Sequence, residues 1–248
     1  MEKTGSNRVE IEPCAKRIRV VFGDRVVADS VDARLVWEHP YYPQYYFPLG
    51  DVDRELLVDS DHRSSDPRMG TATHQTVRVG RREAVDAAWR YPDSPFEALR
   101  DLVRFDWAAM DRWYEEGEEV FVHARNPYSR IDVLESDLHV QVEIDGVTVA
   151  DSTRPRLLFE TRLPTRYYLP HDDVRMDLLT RTDTETSCPY KGVATYWSAR
   201  INEVDHPDIV WSYPTPLLEV AKVAGLLCFY NERVDVFVDG RPLPRSGR

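Results

Sequence analysis

An internal repeat constrains the fold of this chain more than any other feature. Residues 29–92 align with residues 151–214 at a constant offset of 122 positions and without a gap, and 23 of the 64 aligned positions are identical. The shared segments include Asp-Ser at 29 and 151, Tyr-Tyr at 45 and 167, and Trp-x-Tyr-Pro at 89 and 211. The chain must therefore fold as two copies of one small module, which can be compared position by position.

The copies differ most sharply in one short segment. The second copy has Cys-Pro-Tyr-Lys-Gly at 188–192, and the first has Asp-Pro-Arg-Met-Gly at 66–70. Proline and glycine, which shape a turn, are retained. The chemically reactive cysteine and lysine occur in the second copy alone, so the second copy is the better candidate for a functional site.

Composition excludes several classes of partner. The chain has 248 residues, which we divide into modules at 14–134 and 135–243, and a net charge of −11 that disfavours nucleic-acid binding. No apolar run approaches the length of about 20 residues that a membrane helix needs. The polar N-terminal residues lack the apolar core of a signal peptide.

Three cysteines lie at no metal-binding spacing, so we expect no metal site of the Cys-x-x-Cys kind and a reducing, cytoplasmic location. The sequence leaves any cofactor unknown.

Alternating apolar residues predict mostly strands. Residues 17–29 and 138–151 have the pattern of β-hairpins with turns at Gly23-Asp24 and Asp145-Gly146. Further strands are predicted at 33–38, 45–47, 118–123 and 131–133 in the first copy, and at 156–160, 167–169, 194–201 and 234–238 in the second. Helical spacing of apolar residues predicts one helix near the end of each copy, at 95–116 and 216–227. The fold class is therefore mainly β.

The second copy carries five segments that together resemble the domain of unknown function 427 family. They are Gly-x-x-Val-Ala-Asp-Ser at 146–152, Tyr-Tyr-Leu-Pro at 167–170, Cys-Pro-Tyr-Lys-Gly-x-Ala-x-Tyr-Trp at 188–197, Trp-x-Tyr-Pro at 211–214, and Phe-Tyr-x-x-Arg-Val-Asp-Val-x-Val-Asp-Gly at 229–240. The resemblance implies a small folded-sheet module, similar to the "β-tent" of methionine sulfoxide reductase B, and implies no particular reaction.

This family is sometimes labelled nucleotidyltransferase-like. That chemistry uses a Gly-Ser turn followed by paired aspartates that hold two metal ions. Here Gly5-Ser6 lies in the polar N-terminal tail, far along the chain from Asp51 and Asp53. The pattern does not match.

Cys188 is the best chemical candidate, with Lys191 beside it in the predicted turn. A thiolate is the nucleophilic form of cysteine, and a nearby ammonium lowers the thiol pKa. The turn brings Lys191 towards Cys188 or points it away. The alternatives are that Cys188 fills a gap in the core, and that Lys191 either holds an anionic ligand or is a solvated turn residue.

A dense set of aromatic residues surrounds this segment in the sequence. Alternate residues of a strand face opposite sides of a sheet, so one part of the set packs in the core and another part can line a pocket. We predict a pocket between the cysteine turn and the strand that carries Tyr196 and Trp197. The candidate ligand-binding residues are Tyr168, Tyr190, Tyr196, Trp197, Trp211 and Tyr213.

Residues retained in both copies are predicted to be structural. Asp29-Ser30 and Asp151-Ser152 have the character of turn formers whose side chains bond the local backbone. The spacing along the sequence assembles no Ser-His-Asp constellation.

These observations predict two modules that form a pseudo-dimer, as a monomer or within a homodimer, with a small-molecule pocket in the second. Three functions stay open: an enzyme that uses Cys188 or Lys191, a binding module without chemistry, and a protein-interaction scaffold.

Overall fold

The computed structural model describes residues 9–245, and the chain divides into two compact units between Asn126 and Pro127. Strands dominate both units, and the helices are short 3₁₀ segments. The predicted mainly β class and the two tandem modules are confirmed.

The first module has eleven strands in two antiparallel sheets, of seven and four strands. In chain order the strands are β1 (Glu10–Pro13), β2 (Ile18–Phe22), β3 (Arg25–Ser30), β4 (Arg34–Trp37), β5 (Gln44–Pro48), β6 (Leu57–Asp66), β7 (Gly70–Val79), β8 (Arg82–Arg90), β9 (Leu102–Phe105), β10 (Arg112–Glu115) and β11 (Glu118–Val120). The seven-stranded sheet has the order β1-β4-β5-β9-β8-β7-β6, and the four-stranded sheet has the order β11-β10-β2-β3. Three 3₁₀ helices occur at Leu49–Asp51, Arg54–Leu56 and Glu97–Leu99.

The second module repeats this plan with eleven further strands. They are β12 (Ile131–Glu135), β13 (Val140–Ile144), β14 (Val147–Ser152), β15 (Arg156–Glu160), β16 (Arg166–Leu169), β17 (Leu179–Cys188), β18 (Gly192–Ile201), β19 (Val204–Ser212), β20 (Leu227–Phe229), β21 (Asp235–Val238) and β22 (Arg241–Pro242). Its sheets have the orders β12-β15-β16-β20-β19-β18-β17 and β14-β13-β21-β22. Its 3₁₀ helices are His171–Asp173, Met176–Leu178 and Leu218–Val223.

The predicted hairpin turns are confirmed, and their residues explain them. Gly23 and Asp24 have φ values of 56° and 61°, and Asp145 and Gly146 have 48° and 76°. A tight two-residue hairpin turn needs positive φ at both central positions, and glycine and aspartate tolerate it best. The Gly23 and Asp145 turns therefore join β2 to β3 and β13 to β14.

The predicted helix at 95–116 is wrong. The segment instead forms the 3₁₀ turn Glu97–Leu99 and then the strands β9 and β10. All four residues of β9 are buried, so this strand lacks the alternation that usually distinguishes a strand from a helix. Its pairing with β5 and β8 overrides the local apolar spacing.

The predicted helix at 216–227 is reduced to the 3₁₀ segment Leu218–Val223, which is interrupted at Val220 with φ −121°. Gly225, with φ +69°, follows it and leads into β20. The strand predicted at 131–133 is present as β12, but it pairs with β15 in the second unit. The boundary predicted at 134 and 135 therefore falls within the opening strand of the second module.

Candidate functional site

The seven-stranded sheet of the second module has two buried faces. One face packs on the four-stranded sheet, where Leu169 and Leu227 meet Val142 and Val236. We call the opposite face the outer face. It is formed by side chains of β16, β18, β19 and β20 and is covered by residues of the Leu218–Val223 segment. Side chains alternate between the two faces along a strand, except at the irregularity in the pairing of β18 with β19.

Four of the six predicted ligand-binding residues come together on the outer face. Tyr168, Tyr196, Trp211 and Tyr213 lie in one buried cluster with Cys228. The strand register explains part of this arrangement, because Trp211 lies directly opposite both Tyr196 and Cys228. These four aromatic residues are distant in sequence and share a surface only because the sheet brings their strands together.

Trp197 does not belong to the outer face. It follows Tyr196 directly in β18, so its side chain points to the opposite side of the sheet and packs against the inner core. There its ring lies 6.4 Å from that of His171. Tyr196 and Trp197 therefore cannot line the same pocket wall.

The cysteine segment forms the hairpin turn between β17 and β18. Cys188 pairs with Gly192, and the Lys191 N–H donates to the Cys188 carbonyl at 3.3 Å. Cys188 is half-buried with a free thiol, and Tyr190 in the turn is half-buried as well. The thiol lies close enough to Tyr213 to contribute to the raised pKa of that phenol.

Lys191 is neither a solvated turn residue nor a free anion-binding group. Its ammonium forms an ion pair with the Glu160 carboxylate of β15, and the two side chains are 13% and 10% exposed. The negative charge of the Glu160 carboxylate offsets the positive charge of Lys191, which would otherwise favour the thiolate form of Cys188. The sequence argument that Lys191 activates Cys188 loses its main support.

Hydrogen bonds fix the orientation of the outer-face aromatic residues. The Trp211 indole N–H donates to the Tyr168 hydroxyl at 3.1 Å, and the hydroxyls of Tyr196 and Thr186 are 2.7 Å apart. A second ion pair, between Arg166 and Glu232, lies beside them with two contacts of 2.8 Å, and the Arg166 guanidinium lies 5.5 Å from the Trp211 ring centre. The Tyr230 ring also contacts the Trp211 ring, and the centroids of the two rings are 4.5 Å apart.

Tyr213 differs from its aromatic neighbours because its hydroxyl is unpaired. The residue as a whole is 6% exposed, but its hydroxyl is not among the buried polar atoms without a partner, so an oxygen that no group of residues 9–245 binds keeps contact with solvent. Burial raises the pKa of Tyr213 far above its ordinary value, with further contributions from Cys188, Tyr196 and Glu160. Burial likewise raises the pKa of Tyr168. Both phenols therefore stay protonated, and Tyr213 keeps a donor for which the described residues provide no acceptor.

The matching face of the first module satisfies its polar groups differently. Glu38, which corresponds to Glu160, accepts from the Tyr46 hydroxyl at 2.7 Å and from Arg104 at 2.5 Å. Burial raises the pKa of Tyr91, the counterpart of Tyr213, and the nearby Glu38 raises it further. The two corresponding glutamates therefore have different partners: a phenol and a guanidinium at Glu38, and the Lys191 ammonium at Glu160.

The serines of the retained Asp-Ser pairs contact both a nearby backbone N–H and an aspartate side chain. The Ser152 hydroxyl donates to Asp173 at 2.7 Å and accepts from the Arg154 backbone N–H at 3.3 Å. In the first module, Ser30 makes the same pair of contacts with Asp51 and Asp32.

A groove of about 410 Å³ lies near this point of the second module. It is lined by Thr148, Ala150, Asp151, Asp172, Asp173, Val174 and Arg175. None of the predicted site residues lines it. Asp151 is already paired with His139 and Gln141, and Asp173 with Ser152 and Arg154. Asp151 and Asp173 are therefore already engaged in contacts within the protein.

The sequence pattern of the family described as domain of unknown function (DUF427) matches residues 10–116 and again residues 132–240. The chain belongs to this family. Both DUF427 matches coincide with the observed modules, so the degenerate first copy is a true member of the repeat. No curated protein matches the chain.

Two further observations bear on the DUF427 modules. Within residues 9–245 no helix has the length and apolar character needed to cross a membrane, and no group of three His, Cys, Asp or Glu side chains is arranged to hold a metal ion. Gly5-Ser6, compared above with the Gly-Ser turn of nucleotidyltransferases, lies outside the described residues. Asp51 and Asp53 accept from Ser30 and Arg25.

Sequence reasoning missed several residues of this DUF427 site. Five further residues border the outer-face cluster through the contacts given above: Glu160, Arg166, Tyr230, Glu232 and Thr186. Only Glu160 carried a usable signal, since it is one of the identities between the copies as Glu38. The other four became visible when the strands were placed side by side.

Proposed function

We propose that the second module is a small-ligand-binding module whose site is the outer face of its seven-stranded sheet. The observation that carries the proposal is the Tyr213 hydroxyl, which has no hydrogen-bond partner among the described residues and meets solvent at the edge of an otherwise buried side chain. A hydrogen bond from this donor to a ligand contributes about 0.5–1.5 kcal/mol. A ligand acceptor placed against Tyr213 gains this free energy.

The surroundings of Tyr213 indicate the chemistry of the ligand. The partly buried Tyr230 packs against the cluster that holds Trp211 and Tyr196, and the half-buried Cys188 and Tyr190 lie in the adjacent turn. The nearby charged groups are already joined in the pairs Lys191–Glu160 and Arg166–Glu232. The site therefore favours a small, uncharged molecule with an aromatic or apolar body and a carbonyl acceptor.

Binding fits the geometry better than nucleophilic catalysis does. The activation of Cys188 requires a nearby positive charge or base, and the ammonium that the sequence offered is bound to Glu160. Catalysis remains the second candidate because Cys188 is half-buried with a free thiol and interacts electrostatically with the Tyr213 phenol.

Ligand-observed NMR with simple aromatic amides, benzamide first, tests the binding proposal on the full chain, and native mass spectrometry tests for a co-purified molecule. Tyr213→Phe removes only the hydroxyl, so we expect affinity to fall by about tenfold. The matched variant Tyr91→Phe in the first module should leave it unchanged.

Equal affinity in wild type and Tyr213→Phe contradicts the proposal. Cys188→Ser separates the two candidates. If this variant binds the ligand as wild type does and no turnover is lost, the module only binds. If it binds the ligand but turnover is lost, the module is catalytic.

A further inference from the structure

The first module has its own cluster of reactive side chains, at positions where the second module has none. In the second module, the Asp208 carboxylate accepts from Thr182 and Thr184 at 2.7 and 2.8 Å. The first module keeps this aspartate as Asp86 but has His62 in place of Thr184.

Two more exchanges accompany this one. Ser64 replaces Thr186, and His74 replaces Tyr196. The Thr186–Tyr196 hydrogen bond between two hydroxyls is thereby replaced by a bond between a serine hydroxyl and an imidazole. All these residues lie on neighbouring strands of one sheet, so the exchanges alter one local surface.

The hydrogen bonds of the Ser64–His74 pair determine which imidazole nitrogen carries the proton. The Ser64 Oγ lies 2.7 Å from His74 Nε2, and His74 Nδ1 lies 3.1 Å from the Asp86 backbone carbonyl. A carbonyl can only accept a hydrogen bond, so Nδ1 of the neutral imidazole carries the proton. Nε2 is then the acceptor for the Ser64 O–H, which is the arrangement of a serine nucleophile with its general base.

The surroundings hold the imidazole and leave the hydroxyl accessible. His74 is 9% exposed, and its ring stacks on Trp89 at 5.3 Å with His62 at 4.4 Å on another side. Ser64 is exposed. Asp86 lies at an irregularity of the β7–β8 pairing with φ +55°, where its carbonyl meets His74.

An unpaired polar atom accompanies the pair. The Asp86 Oδ1 is buried and has no hydrogen-bond partner among residues 9–245. In the second module both carboxylate oxygens of Asp208 are satisfied by threonines. The first module thus lacks the two threonine hydrogen bonds to this aspartate, next to its Ser64–His74 pair. Polar groups without a partner often occur at functional sites.

We propose that Ser64 and His74 form an acyl-transfer site in the first module, with small carboxylic esters as its substrate class. Ser64 Oγ attacks the acyl carbon while its proton passes to His74 Nε2. The ester C–O bond breaks, and the leaving alcohol takes the proton from the imidazolium, which leaves an acyl-serine. Water, deprotonated by the same imidazole, then releases the carboxylic acid and restores the hydroxyl. The ligand site of the second module has no part in this reaction.

Labelling of the full chain with 4-nitrophenyl acetate and with a fluorophosphonate tests the proposal, read by intact mass and peptide mapping. We expect one adduct, on the peptide that contains Ser64, and none in Ser64→Ala. His74→Tyr copies the residue that the second module has at this position. It should fold and should label about a hundredfold more slowly, because the general base is gone. His74→Gln serves as a second variant without a base.

Thr186→Ala in the second module is the matched control and should label like wild type. Three results each overturn the proposal: an unlabelled wild type, an adduct on any other residue, or wild-type labelling rates in a folded His74 variant.

Discussion

The Lys191 ammonium is paired with the Glu160 carboxylate, and both side chains are almost fully buried. In the first module Glu38 takes the place of Glu160, but its cation is Arg104 from β9, while buried Met69 stands at the position of Lys191. The strand register places Arg104 opposite Trp89 just as it places Cys228 opposite Trp211. The equivalent glutamates of the two modules are therefore neutralised by cations at different positions. At each of these two positions, the other module has an uncharged residue.

This exchange predicts a rescue. Lys191→Met leaves Glu160 buried without its counter-ion, which should destabilise the second module by about 3–5 kcal/mol. Adding Cys228→Arg restores the arrangement of the first module and should recover part of the loss. Hydrogen exchange of β15 and β16 peptides in the full chain measures both effects. If the double variant is no more stable than Lys191→Met, the two arrangements are not equivalent.

The three cysteines should differ widely in reactivity. Burial raises the pKa of the Cys14 and Cys228 thiols, whereas Cys188 is only half-buried. Because the thiolate is the reacting form, iodoacetamide at pH 7.5 should modify Cys188 first and the other two only on unfolding. Peptide mapping over time gives the order, with Cys188→Ser as the control. Early modification of Cys14 contradicts the burial argument.

Gly192 should tolerate no side chain. Its φ is +97°, and a Cβ there comes within 3.3 Å of the Thr215 carbonyl oxygen. Gly192→Ala should therefore cost about 1–3 kcal/mol, seen as faster hydrogen exchange in the β17–β18 hairpin. Gly50→Ala is the control, since a Cβ at Gly50 meets no atom within 4 Å. Equal effects of the two substitutions contradict the prediction.

Asp173 should give the second module an acid-sensitive contribution to stability. A hydrogen bond from Arg154 lowers the pKa of the Asp173 carboxyl, burial opposes this, and Ser152 lowers it further. Since the folded pKa lies below the unfolded value of about 3.9, the contribution is complete above that pH. It is lost as the pH falls through the folded pKa.

Carboxyl NMR titration measures this pKa directly. Arg154→Ala should raise it more than Ser152→Ala does, because the arginine has the larger effect. Ser30→Ala, the equivalent change in the first module, should leave the titration of Asp173 unaltered. A larger shift in Ser152→Ala than in Arg154→Ala contradicts the ranking.

Short-range patterns predicted the strands well because their causes are local. The turns at Gly23-Asp24 and Asp145-Gly146 follow from residues that adopt positive φ. The helix predicted at 95–116 failed because β9 is buried on both faces, and a fully buried strand has the same apolar composition as a helix. Only its partners β5 and β8 distinguish the two.

The candidate site was predictable in part. Comparison of the copies singled out Cys188, Lys191 and Tyr196, and alternation along β18 implies that Tyr196 and Trp197 face opposite sides of the sheet. No pattern in the sequence indicated that Lys191 binds Glu160, or that the Ser64 hydroxyl contacts His74, because these contacts join residues on separate strands.

The sequence by itself determined the repeat, the mainly β class, the hairpin turns and the residues in which the two modules differ. These depend on neighbouring residues and on periodicity, which the chain carries at every point. Tertiary structure alone decided which cation neutralises each buried glutamate, which aromatic residues share the outer face, and that the first module holds a Ser–His pair. Each of these depends on the register between strands, which sets distances of a few ångströms between residues far apart in the chain.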